Sequence, residues 1–217
     1  MIERTIAAGT HGRYLIEPSV SPGPAPILVG FHGYGEGAGE QLDRMRRIPG
    51  VDRWLMVSIQ GLHRFYNRRA NEIVASWMTR QDRELAMADN LAYVAGVIDA
   101  VHREYPDAPR VVFAGFSQGV AMTFRAAAAS PRAVDGVIVV GGDVPPELDA
   151  SAVGRVREAL VCHGRRDEFY TSAIFERDVQ RLRDARVNVL PLEFDGGHEW
   201  SGEVVQAASR FLHERLP

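Results

Sequence analysis

Ser117 sits in Gly115-Phe116-Ser117-Gln118-Gly119, directly after the apolar run Val111-Val112-Phe113-Ala114 and before an alanine-rich stretch from Ala121 to Ala129. The run reads as a strand and the stretch as a helix. A serine on so sharp a strand-to-helix turn holds a strained backbone, and its hydroxyl is pushed out above the sheet edge. The chemistry this offers is nucleophilic attack on a carbonyl carbon. The pentapeptide alone is a weak signal. A tight turn with a serine helix cap is the plain alternative, and the flanking strand and helix favour the nucleophile.

A serine hydroxyl is a poor nucleophile at neutral pH. It needs a base within hydrogen-bond reach, and the base needs an orienting acid. On a turn of this kind the chain order is serine, acid, histidine. His198 lies in Asp195-Gly196-Gly197-His198-Glu199-Trp200, a glycine-rich turn between the last strand and the last helix. His213 falls on the polar face of that helix and reads as a solvated surface residue. His198 is therefore the expected base. Two carboxylates follow strands at suitable places. Asp167 lies in His163-Gly164-Arg165-Arg166-Asp167, and Asp143 in Gly141-Gly142-Asp143. Asp167 is favoured, because His-Gly-x-x-Asp after the penultimate strand recurs in sheets of this type. Glu168 fits less well than its neighbour. Asp143 also reads as a turn residue before Pro145-Pro146.

Acyl transfer further needs donors aimed at the developing oxyanion. The backbone N–H of Gln118, which opens the helix, is one. The loop His32-Gly33-Tyr34-Gly35-Glu36-Gly37 after the strand Ile27 to Phe31 should give the second. Its glycines let backbone approach a substrate closely, and the N–H of Tyr34 is the expected donor. His32 reads as a buried prop for that loop. No spacing demands a metal site from His32, His163 and His198.

Composition bounds the rest. The chain has 217 residues, 46% hydrophobic and 24% charged, a size that suits one domain with one substantial core. A net charge of −3 gives no basic field to recruit nucleic acid or an anionic membrane. All 25 basic residues are arginine, which excludes Schiff-base chemistry, a pyridoxal-phosphate site and a P-loop. The single cysteine, Cys162, excludes an intramolecular disulfide and a cysteine-based zinc cluster. It lies in an apolar run and reads as a small buried residue. Met1 to Thr5 do not read as the start of a signal peptide, and no window has the length of a membrane span. A cytoplasmic protein is expected.

Six short, β-branched-rich runs predict strands covered on both faces: Ile27 to Phe31, Leu55 to Ile59, Val111 to Ala114, Val137 to Val140, Ala159 to Cys162 and Val187 to Leu192. Arg13 to Glu17 predicts an antiparallel edge strand. Between the runs, Met87, Leu91, Val94, Ile98 and Val101 make one apolar helix face, stopped by Pro106. A second helix runs from Ser117 to the Ser130-Pro131 break. Phe175, Val179 and Leu182 mark a third. Val204, Ala208, Phe211 and Leu212 mark the last, with Ser201 as its cap. Alternation of this kind predicts an α/β protein with a mainly parallel sheet flanked by helices. Functional groups then gather at the carboxyl ends of the strands.

Four motifs, Phe31-His32-Gly33-Tyr34-Gly35, Gly115-Phe116-Ser117-Gln118-Gly119, His163-Gly164-Arg165-Arg166-Asp167 and Gly196-Gly197-His198, recur in an order that resembles the α/β-hydrolase superfamily. The resemblance is closest to its small phospholipase/carboxylesterase branch, which includes acyl-protein thioesterases, and it covers most of the chain. It implies an α/β-hydrolase fold as a lidless single domain with a Ser-Asp-His triad and no cofactor. It also implies a small ester substrate with a short to medium acyl chain, and it admits a homodimer. A thioesterase, lactonase or perhydrolase would use the same triad. A binding protein on this fold would be expected to lack a triad member, and each position here holds a residue of the right type.

The chain departs from that branch near the acyl pocket. Ser76-Trp77-Met78-Thr79-Arg80 stands where a Trp-Phe-Asp element is usual, so the acid is absent. Glu168-Phe169-Tyr170 stands where a Val-Pro pair is common after the triad acid. Leu62-His63-Arg64-Phe65-Tyr66-Asn67-Arg68-Arg69 follows the strand ending at Ile59. This tract reads as a solvated loop with a packed anchor. The sharper expectation is that one of its arginines holds a carboxylate or phosphate of the substrate. Trp77, Phe65, Arg64 and Phe169 are the expected substrate contacts, although Trp77 reads equally well as core.

Overall fold

The computed structural model describes residues 1–67, 71–132 and 134–215. Seven strands form one sheet: β1 (Arg13–Glu17), β2 (Ile27–Phe31), β3 (Leu55–Gln60), β6 (Val111–Phe116), β7 (Val134–Val140), β8 (Val156–Gly164) and β9 (Asn188–Phe194). Their spatial order is β1-β3-β2-β6-β7-β8-β9. Every neighbouring pair is parallel except β1 with β3, which is antiparallel. The six expected runs and the edge strand are all present, with β6, β7 and β8 longer than the sequence suggested. The strand β9, expected to be covered on both faces, is instead the far edge of the sheet, and of its residues only Phe194 is buried.

Period-2 alternation divides the strand side chains between two layers. Ile27, Val29, Phe31 and Phe113 pack on one face with residues of α2 (Arg83–Glu104), α3 (Gln118–Ala129) and α5 (Ser172–Asp184). Leu28, Val112, Ile138 and Leu160 pack on the other with α1 (Ala38–Arg46) and α6 (Gly202–Arg210). Phe31 and Phe113 are fully buried, and truncating either to alanine should cost about 3–5 kcal/mol. The fourth helix, α4, is a single turn (Ala150–Val153).

The expected helices form where their apolar stripes lie. Val94, Ile98 and Val101 are buried in α2. The Ser201 hydroxyl accepts the Val204 N–H at 3.3 Å, capping α6 as anticipated. Two elements differ from the sequence reading. Residues 38–46 form a helix that the sequence did not announce. The tract taken for a loop is instead a hairpin of β4 (His63–Asn67) and β5 (Glu72–Ser76). Arg68 and Arg69, the other arginines of that tract, lie outside the described residues. Among the described residues no helix is long and apolar enough to cross a membrane.

Topology fixes where a site can form. From β2 the chain crosses to β3 on one side and then to β6 on the other. The loops after β2 and β6 therefore open side by side where the winding reverses, a place that favours ligand sites in such sheets.

Candidate active site

Ser117 follows β6 directly and precedes α3. Its backbone has φ 53° and ψ −121°, a conformation costly for a residue with a Cβ. Sheet and helix impose it together. The Ser117 N–H donates to the Val140 carbonyl at 2.9 Å, and the Val120 N–H donates to the Ser117 carbonyl at 2.9 Å. The turn closes only because Gly119 lacks a side chain, since a Cβ there would stand 2.1 Å from the Phe31 carbonyl oxygen. The Ser117 side chain does not cap the helix, so the plain alternative to a nucleophile is not realised.

His198 lies on the turn between β9 and α6. Its Nδ1 is 2.8 Å from Asp167 Oδ2. The Asp167 side chain is fully buried, and that of His198 is 22% exposed. The second Asp167 oxygen accepts the N–H groups of Phe169 at 2.9 Å and Tyr170 at 3.0 Å. The carboxylate is thus fixed by backbone on one side and engages the imidazole on the other. With Nδ1–H donating to Asp167, Nε2 is left with a free lone pair.

The turn after β7 ties these groups to the serine. A Cβ on Gly142 would lie 2.4 Å from the Ser117 carbonyl oxygen, and a Cβ on Gly141 would lie 3.1 Å from the His198 ring and 3.3 Å from Asp167 Oδ2. The imidazole also packs on Phe116, the residue before the serine, with ring centroids 5.0 Å apart. The β7 turn therefore lies against the Ser117 backbone on one side and the His198–Asp167 pair on the other, and among the described residues the Ser117 hydroxyl makes no hydrogen bond to the imidazole. Asp143, the competing acid, is exposed and makes no hydrogen bond or ion pair with His198 among the described residues.

The loop after β2 is held from several directions. Gly33 N–H donates to Glu36 Oε2 at 2.7 Å, and Gly35 N–H donates to the Ala75 carbonyl at 3.0 Å. The Tyr34 N–H lies between these two occupied donors and has no partner among the described residues. His32 is fully buried and is the prop expected of it. Its Nδ1 donates to the Gly33 carbonyl at 2.7 Å, and its Nε2 accepts the Gly61 N–H at 2.9 Å. This arrangement requires the neutral ring, and burial lowers the His32 pKa below its ordinary value.

Of the expected substrate contacts, Phe169 and Phe65 reach the rim. Phe169 is 78% exposed and stands edge-on to His198 at 5.2 Å. Phe65 packs on the exposed Tyr34 ring at 5.5 Å. Trp77 does not reach it. The indole is fully buried, donates to the His32 carbonyl at 2.8 Å and stacks on the His32 ring at 5.1 Å. It supports the loop from beneath, where no substrate can touch it. Arg64 is also turned away. Strand alternation puts it on the face of β4 opposite Phe65, and its guanidinium donates to the His11 carbonyl at 3.2 Å.

Sequence reasoning missed two supports. The Gln118 side chain accepts the Trp77 N–H at 2.9 Å and the Ser76 hydroxyl at 3.1 Å, and donates to the Met78 carbonyl at 3.0 Å. Glu36 and Arg44 form an ion pair behind the Gly33–Glu36 loop. No spacing signal marks that pair, since the two residues are eight apart and only one lies within α1. Cys162 is buried as expected, and burial pushes its thiol pKa up, away from nucleophilic use. His163 is also buried, with Nε2 3.1 Å from the Ser172 hydroxyl. Among the described residues no three His, Cys, Asp or Glu side chains converge to hold a metal ion.

Comparison with known proteins agrees with this fold. A profile of the phospholipase/carboxylesterase family matches residues 17–216. The fold is similar to that of acyl-protein thioesterase 2 of Zea mays (TM-score 0.76, 18% identity, covering 95% of this chain and 100% of that one). It is also similar to a Bacillus cereus carboxylesterase (TM-score 0.75, 18% identity, covering 92% of each chain) and to a Dyadobacter fermentans phospholipase/carboxylesterase (TM-score 0.69, 19% identity, covering 94% of this chain and 97% of that one). At such identities these likenesses speak for the fold, while the family match spans nearly the whole chain. The chain belongs to the phospholipase/carboxylesterase family of α/β-hydrolases and is a carboxylesterase-type hydrolase.

Proposed function

We propose that the protein is a serine esterase that cleaves small carboxylic esters of short to medium acyl chain through Ser117, His198 and Asp167. The observation that carries this reading is the His198–Asp167 hydrogen bond of 2.8 Å beside a serine held at positive φ.

Catalysis would run through an acyl-enzyme in two halves. His198 Nε2 takes the proton of the Ser117 hydroxyl as the oxygen attacks the ester carbonyl carbon. The carbonyl oxygen becomes an oxyanion and is received by the N–H groups of Gln118 and Tyr34. Both lie in backbone fixed before substrate arrives, so no reorganisation is needed when charge develops. Asp167 holds the imidazole in the tautomer that leaves Nε2 able to accept, and stabilises the imidazolium once formed. Collapse of the intermediate expels the alcohol, which takes the proton from Nε2. A water molecule then gives a proton to His198 and attacks the acyl-enzyme, releasing the acid and restoring the serine.

Tyr34, Phe65 and Phe169 would flank the substrate on two sides with exposed aromatic surface, apt for alkyl chains. The test is hydrolysis of nitrophenyl esters across a chain-length series, set against the matching acyl-thioesters. The reading expects ester turnover that peaks at short to medium chains and is lost in His198→Ala. Thioester turnover well above ester turnover would move the assignment to the thioesterase alternative. Absence of any turnover in the native protein would end it.

A further inference from the structure

We propose that the Glu36–Arg44 ion pair is a positioning device for catalysis, which aims the oxyanion-binding loop and braces the imidazole through Phe116. This rests on the serine esterase reading above and extends it to two residues outside the triad.

Glu36 acts on the loop in two ways. Its Oε2 accepts the Gly33 N–H at 2.7 Å, and its backbone pairs with Ala75, whose N–H donates to the Glu36 carbonyl at 2.7 Å. The first bond ties the start of the loop to its end. The second ties that end to β5. With the donors of Gly33 and Gly35 both occupied, Tyr34 is left to offer its N–H to a substrate. The Glu36 carboxylate therefore selects which amide of the loop is available.

Arg44 fixes the carboxylate. Both terminal guanidinium nitrogens engage Glu36, Nη1 at 2.7 Å from Oε2 and Nη2 on Oε1. A forked contact sets orientation as well as distance. The side chains are only 17% and 21% exposed, which keeps the pair largely out of water. The Arg44 guanidinium carbon also lies 4.3 Å from the centroid of the Phe116 ring, within the range of a cation–π contact. That same ring packs on His198 at 5.0 Å. A Cβ on Gly33 would meet both Glu36 Oε2 at 3.0 Å and Phe116 at 3.2 Å, so loop, ion pair and ring are in mutual contact. One ion pair thus touches the oxyanion side and the base side of the site.

A merely structural pair would change stability and leave turnover per folded molecule alone. A positioning pair changes turnover. The test uses Arg44→Met, which keeps bulk over Phe116 without the fork, and Arg44→Lys, which restores charge without the fork. Folding is checked by thermal melting, and kcat, KM and the affinity of a trifluoromethyl ketone, a transition-state mimic, are measured. Misaimed donors should lower kcat about 10- to 100-fold with KM within about twofold. Ketone affinity should fall in parallel with kcat/KM, because the ketone forms the same oxyanion. Arg44→Lys should recover only part of the loss.

If Arg44→Met does not fold, Glu36→Gln carries the test. It keeps an acceptor for Gly33 N–H and loses the charge that holds the fork, and its kcat should fall at least about fivefold. Folded variants with native kcat and native ketone affinity would overturn the proposal. A native protein that neither turns over esters nor binds the ketone would remove the esterase reading itself, an outcome distinct from failure of the ion-pair proposal.

Discussion

Asp167 meets His198 with one carboxylate oxygen, at 2.8 Å, and gives its other oxygen to the N–H groups of Phe169 and Tyr170. The acid cannot rotate without breaking two backbone hydrogen bonds. Asp167→Asn should therefore keep the fold and reverse the donor at this contact, trapping the wrong imidazole tautomer. The expected fall in kcat is about 10⁴-fold at neutral pH. A fall of less than tenfold in a correctly folded variant would mean that another group orients His198.

The positive φ of Ser117 (53°) has a cost that substitution can reveal. Ser117→Ala keeps the strain, whereas Ser117→Gly relieves it. Both should be inactive. The glycine variant should nonetheless be about 1 kcal/mol more stable than the alanine variant, since strain of this type is worth about 1–3 kcal/mol and glycine loses part of the gain to its freer unfolded chain. Urea denaturation of the two proteins measures the difference, and equal midpoints would contradict a strained turn.

His32 gives a pH dependence of stability with a definite sign. Its folded-state pKa is lowered by burial from the ordinary 6.5. Above that value both folded and unfolded states hold a neutral ring, and its contribution is fully present. As pH falls below it, the unfolded chain takes up a proton that the folded chain refuses. Stability is then lost, until the folded-state pKa is passed. The slope from this one group approaches about 1.4 kcal/mol per pH unit. Unfolding measured from pH 7.5 to 5 should show it, and His32→Asn should lack that component.

Phe169 and Arg64 were expected to share a role, and the structure separates them. Phe169→Ala removes an exposed ring beside His198 and should lower kcat/KM for medium-chain esters by about tenfold while sparing acetyl esters, the value of a few buried methylenes. Arg64→Ala should leave acidic and neutral esters equally unaffected, because the guanidinium faces His11. A rise in KM for acidic esters alone would restore Arg64 to the site.

The contrast between these residues shows what the sequence could tell. Buried parallel strands announce themselves, because both faces are apolar and every residue from Ile27 to Phe31 is buried. That Ser117, Asp167 and His198 each stand just after a strand was legible for a related reason: the apolar runs before them mark where those strands lie. The β4–β5 hairpin was not legible. Its first four residues are exposed, so no apolar alternation marks them. Trp77 was ambiguous because an indole suits core and pocket alike, and the deciding bond to the His32 carbonyl joins residues 45 apart. The Glu36–Arg44 pair was hidden among ordinary surface charges, since nothing in its spacing tells a bridged pair from two solvated ones.

The most direct test of the central claim is covalent labelling by a fluorophosphonate, with the modified peptide mapped by mass spectrometry. The account expects one phosphonyl group per chain, on Ser117, with labelling abolished in Ser117→Ala and slowed by orders of magnitude in His198→Ala. A native, folded protein that takes no label, or takes it on a different residue, would contradict the account.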